Sequence, residues 1–97
     1  MNGTVRFYVR VSILELGDLI KRLIESLKPS DISFFDNEMA LITRHEGLDQ
    51  LVAHLELVDR NEVVITAHKI LREFVKQALG IGGEYSEEKE EYFKWGE

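Results

Sequence analysis

The chain has 97 residues, is 44% apolar and 31% charged, carries a net charge of −6 and contains no cysteine. That length suits one domain with a core that needs no staples, and the missing cysteine excludes disulfides, thiolate catalysis and zinc–cysteine sites. No apolar run approaches the roughly 20 residues that cross a bilayer, and Met1–Arg10 lacks the basic start and apolar block of a secretory signal, so the sequence reads as a cytoplasmic chain with no membrane partner.

The first element is a strand. Phe7, Val9 and Val11 alternate with Arg6, Tyr8 and Arg10, which places one row against a core and leaves the other polar but aromatic. At Ser12 the period changes. Ser12-Ile13-Leu14-Glu15 has the form of a capping box, with Val11 and Leu16 placed as a hydrophobic staple. Leu16, Leu19, Ile20, Leu23, Ile24 and Leu27 then recur at helical spacing. Pro29 ends this helix, because the residue before a proline resists helical geometry.

Ile32–Phe35 and Met39–Thr43 flank Asp36-Asn37, two residues that tolerate positive φ, and read as a tight hairpin. Thr43-Arg44-His45-Glu46 repeats the capping-box form, and Leu48, Leu51, Val52, Leu55 and Val58 follow at helical spacing. Val63-Val64-Ile65-Thr66 has strand propensity. The stripe Val63, Ala67, Ile70, Phe74, Ala78 nevertheless runs through it, and Asp59-Arg60-Asn61-Glu62 has the look of a helix cap. The favoured reading is a helix over about 60–79, ended by Gly80 in a left-handed cap.

The expected fold is a two-layer α+β domain over 1–80. It has a three-stranded antiparallel sheet in the order β-α-β-β-α-α. The alternative, if Val63–Thr66 is a strand, is a ferredoxin-like βαββαβ domain with an extra C-terminal helix. Residues 81–97 read as an acidic, aromatic tail, with 6 acids and 2 bases against 12 acids and 10 bases in residues 1–80. Its stretch Ser86–Lys94 suits either a helix or disorder, and its acids Glu84–Glu91 have a basic row, Lys69, Arg72 and Lys76, on which to fold back. Few amides (three Asn, two Gln) and many charges lean toward a heat-adapted protein.

Candidate site residues follow from these placements. Arg6, Tyr8 and Arg10 form a sheet row on which a base can stack and phosphates can pair. The strand resembles the aromatic strand of an RNA-recognition motif, but Met39–Arg44 lacks that family's second, Gly- and aromatic-rich strand. A solvated or dimer-buried sheet face is the plainer reading. Lys69, Arg72 and Lys76 suit an acidic partner or a phosphate backbone, or the solvated face of an amphipathic helix. Tyr92, Phe93 and Trp95 resemble interface anchors and equally suit packing on their own domain. His45, His54 and His68 are too widely spaced for a metal site, no carboxylate pair or nucleophile elbow is singled out, and no cofactor motif is present.

The sequence therefore favours a non-catalytic interaction or regulatory module. It would self-associate as a homodimer or sit as a small subunit of a larger complex, with the tail as a route to a protein partner. Two other readings stand beside it. One is an accessory protein for RNA or single-stranded DNA that uses Arg6, Tyr8 and Arg10. The other is a small-ligand sensor, which needs the βαββαβ alternative.

Overall fold

A computed structural model describes residues 3–45, 47–80 and 84–89. Strand β1 (Thr4–Arg10) leads into helix α1 (Ile13–Leu27). Four strands follow without interruption: β2 (Asp31–Phe35), β3 (Glu38–His45), β4 (Leu48–Asp59) and β5 (Glu62–His68). A 3-10 turn (Lys69–Leu71), helix α2 (Arg72–Leu79) and strand β6 (Glu84–Lys89) complete the order.

The strands form one sheet in the order β2-β3-β4-β5-β1-β6, and every neighbouring pair is antiparallel. β1 and β2 consequently run in the same direction at separate places in the sheet, joined by α1. β5 and β6 do the same on either side of β1, joined by α2. Parallel strands need a crossover of this kind, because a tight turn can only reverse the chain.

The inner face follows the two-residue period. Val5, Phe7 and Val9 of β1 lie level with Ala67, Ile65 and Val63 of β5, and next to them Ala53 and Leu55 of β4; all are buried. Leu19 and Leu23 of α1 and Val75, Ala78 and Leu79 of α2 belong to the same core. The helices also hold each other. Arg22 Nε donates to the Ala78 carbonyl at 3.3 Å, and the Ser26 hydroxyl donates to the Phe74 carbonyl at 3.0 Å. Helix α1 starts in the expected capping box, with the Ser12 side chain accepting from the Glu15 amide and the Glu15 side chain from the Ser12 amide. It stops at Lys28, whose φ of 51° lies in the left-handed region just before Pro29.

The expected three-stranded sheet is overturned. Among the described residues the body holds five antiparallel strands and two helices, a ferredoxin-like layering of helices on one face of a sheet, and β6 adds a sixth strand. The expected helix over Leu48–Val58 is strand β4, and most of the expected helix over 60–79 is strand β5 and the 3-10 turn. Even the βαββαβ alternative, correct in making Val63–Thr66 a strand, has a helix where β4 stands.

Two irregularities in β4 explain the misreading. Ile42 pairs with Leu51 while Leu41 pairs with Ala53, which leaves Val52 as an extra residue; a second register shift lies between Leu57 and Asp59, around Val58. Each bulge resets the alternation by one residue. Val52 and Ala53 are then buried side by side, and the apolar positions mimic helical spacing. A helix would have hidden Leu51 and Val58, yet they are 61% and 48% exposed.

The supposed caps are turns. Asp59 pairs with Glu62 around Arg60-Asn61, and the Asp59 carboxylate accepts from the Arg60 amide at 2.7 Å. Thr43–His45 continue β3, and Gly47, at φ 79°, turns the chain into β4. Gly80 follows α2 with a right-handed φ of −63° instead of the expected left-handed one. The hairpin at Asp36-Asn37 is as expected, with Phe35 level with Glu38 and Asp36 at φ 51°. Asn37 also ties the hairpin to the second bulge: its side-chain amide donates to the Leu57 carbonyl at 2.8 Å, and its carbonyl accepts from the Leu57 amide.

Candidate functional site

Arg6, Tyr8 and Arg10 lie on the face of β1 opposite the core, as their alternation predicts. Both described helices belong to the other face. Register extends this outer face into rows. Tyr8 lies level with Val64 of β5, then Glu56 of β4, Glu38 of β3 and Phe35 of β2. Arg6 lies level with Thr66, His54, Ala40 and Ser33 in the same way, and Arg10 with Glu62. On the other side of β1, β6 sets Glu88 opposite Arg6, Ser86 opposite Tyr8 and Glu84 opposite Arg10.

The face therefore mixes charges. His54 Nε2 and Glu38 Oε1 meet at 3.0 Å across the β3–β4 pair, both half-buried. Glu56 and Glu62 share the face with Arg6 and Arg10. Acids next to arginines weaken any attraction for a polyanion, whose binding depends on neutralising phosphates. The arrangement suits a partner that carries both signs.

The other candidates separate in space. Lys69 lies in the 3-10 turn, while Arg72 and Lys76 lie on α2, so the expected continuous helical row is broken. Arg72 Nη1 is 3.5 Å from Glu73 Oε2. Ile70 and Phe74, placed in the core by the helical stripe, are 73% and 48% exposed; Val75, Ala78 and Leu79 carry the packing of α2 instead. Within the stretch expected to fold onto the basic row, residues Glu84–Lys89 pair with β1 as a strand, neither helical nor disordered; the rest of the acidic segment, from Glu90 to Lys94, lies outside the described residues. Tyr92, Phe93 and Trp95 lie outside the described residues.

The histidines have local roles where they are described. His54 meets Glu38, and His68 Nδ1 accepts from the Ile70 amide at 3.2 Å, capping the 3-10 turn. No group of three or more potential metal ligands gathers among the described residues.

Two features escaped the sequence reading. Tyr85 meets Phe7 edge to face, with ring centroids 5.8 Å apart at 65°. Its ring, with Tyr92, Phe93 and Trp95, marked residues 81–97 as more than a solvating tail, but no local pattern named a strand or Phe7 as its partner. The second is the pair Phe34 and Phe35 on the outermost strand, 70% and 57% exposed. Two adjacent rings in a strand must point to opposite sides, so a single core face can bury only one of them.

The fold and this face define a two-layer α+β protein with helices on one side of an antiparallel sheet and a polar, aromatic row on the other. No family model, curated protein or solved structure matches the chain.

Proposed function

We propose that this chain is a non-catalytic binding module that works through the face of its sheet opposite both described helices, centred on Arg6, Tyr8 and Arg10. One observation carries the reading. Both described helices share a single core on the face of Val5, Phe7 and Val9, so among the described residues no helix lies on the opposite face. Of the readings open from sequence, those that use the sheet itself gain most, because the sheet is twice as wide as expected. A protein surface of mixed charge fits this face best, given Glu62 opposite Arg10 and Glu56 further along the Tyr8 row.

The nucleic-acid reading keeps one specific support: Tyr8 lies between Arg6 and Arg10 on one face, a stacking platform with two phosphate partners. The small-ligand sensor gains its strand at Val63–Thr66 but loses the helix that its βαββαβ frame requires over Leu48–Val58, where β4 stands.

Fluorescence anisotropy with labelled oligouridine at low salt separates the first two. The protein-binding reading expects no saturable signal. Binding that falls on Arg10→Ala and Tyr8→Ala would transfer the function to single-stranded nucleic acid. For protein partners, affinity capture from the native source should lose its specific band with the Tyr8→Glu, Val64→Glu double variant. An unchanged band would refute this face as the binding surface.

A further inference from the structure

The two outer edges of the sheet are built differently. β6 carries Glu84, Glu87, Glu88 and Lys89 in six residues, and charge of this density discourages edge-to-edge pairing. β2, Asp-Ile-Ser-Phe-Phe, holds no Lys, Arg or Pro and no bulge. Its two rings stand in solvent on opposite sides of the strand, Phe34 level with Met39 and Phe35 level with Glu38.

The hydrogen-bonding direction of this edge is visible at Ile32. Its amide donates to the Asp31 carboxylate at 2.9 Å, so it points away from β3. Backbone groups alternate along a strand, which turns the Phe34 amide the same way. The outward donors and acceptors of β2 are thus those of Ile32 and Phe34.

We propose that β2 is a self-pairing edge: two copies of this chain join antiparallel about a two-fold axis through Ser33, making one continuous sheet. In that register Ile32 lies opposite Phe34 of the partner subunit, so the two outward-facing residues exchange both backbone bonds. The partner's carbonyl replaces the Asp31 carboxylate at the Ile32 amide. Two Ile32–Phe34 pairs form on the helix side. On the other side Phe35 lies opposite Asp31 of the partner subunit, and no like charges face each other across the seam. The strand is therefore complementary to itself, as a two-fold interface requires.

The area is adequate for a reversible dimer. Aromatic side chains bury about 150–250 Å² each, and at the observed exposures the four rings bring about 500 Å² of apolar surface. With Ile32, Ser33 and the two backbones the total approaches about 1,000 Å², the lower bound for a specific association. Area does not fix affinity, and the small interface is expected to give a reversible dimer that dissociates at about 1–100 μM.

Analytical ultracentrifugation of the full chain from about 5 to about 200 μM tests the proposal. The expected result is a concentration-dependent dimer whose dissociation constant rises at least about tenfold with Phe34→Lys, a change at a 70% exposed side chain, while the far-UV spectrum stays unchanged. Because the chain has no cysteine, Ser33→Cys gives a second readout. Opposed residues on neighbouring strands lie within disulfide range, so mild oxidation should cross-link this variant much faster than Asn61→Cys or Ile32→Cys. A monomer throughout the range, a dimer indifferent to Phe34→Lys, or equal cross-linking by the three cysteine variants would overturn the proposal. So would a monomer that binds an extended peptide at β2, since that assigns the edge to a foreign strand.

Discussion

The docking of β6 can be tested by a single side chain. Tyr85 is 36% exposed, so folding hides about two-thirds of a ring that buries on the order of 200 Å². At about 25 cal/mol per Å², the roughly 130 Å² removed from water stabilises by about 3 kcal/mol, an upper bound because the unfolded chain already hides part of it. The edge-to-face contact with Phe7 adds about 1 kcal/mol. Tyr85→Ala should therefore destabilise the protein by about 2–3 kcal/mol, while Tyr85→Phe, which keeps the ring, should stay within about 0.5 kcal/mol of the parent. Urea unfolding followed by circular dichroism reads the difference as a lower midpoint. For a domain of this size it also appears as a fall of about 10–20 °C in melting temperature. If Tyr85→Ala costs less than about 0.5 kcal/mol, the strand Glu84–Lys89 contributes nothing to the folded state, and the sixth place in the sheet is refuted.

Further outcomes follow from individual contacts. Ser12→Ala removes the hydroxyl that accepts from the Glu15 amide and should cost about 1 kcal/mol in urea unfolding; no loss would show that the capping box contributes nothing. Gly17 lies within α1 with nothing inside 4 Å of an added Cβ, so Gly17→Ala should stabilise by about 0.5–1 kcal/mol. Asn37→Ala deletes the bond to the Leu57 carbonyl and should cost about 1–2 kcal/mol, with faster amide exchange at the β2–β3 turn as its local signature. Phe7, fully buried between the sheet and the helices, should cost about 3–5 kcal/mol as Phe7→Ala, and a loss below about 1 kcal/mol would contradict its central place in the core.

Some elements were legible because one local rule governed them. β1 alternates cleanly, α1 opens on a capping box and closes before Pro29, and Asp36-Asn37 makes a hairpin. The face that carries Arg6, Tyr8 and Arg10 followed from the same alternation. Nothing in that alternation said that Glu56, Glu62 and His54 would stand on the same face, since strand order alone brings them there.

In β4 and β5 local rules conflicted, and tertiary context decided. Residues 48–79 contain a helical spacing and a strand propensity at once. The bulges at Val52 and near Val58 spoil the two-residue period that would have told them apart. What settles the matter is non-local: Val63, Ile65 and Ala67 bury themselves only by pairing with β1 on one side and β4 on the other. The acidic segment after Gly80 shows the same limit. Its composition describes an acidic, aromatic tail without naming its partner, and the open edge of β1 supplies the backbone partners and Phe7 a ring for Tyr85. By itself the sequence determined the chain's class, its first helix, its first hairpin and the two faces of β1, because each rests on contacts a few residues apart. The width of the sheet, the place of β6 and the exposed edge at Phe34 were decided by the tertiary structure, because strand pairing depends on which distant segment offers the complementary edge.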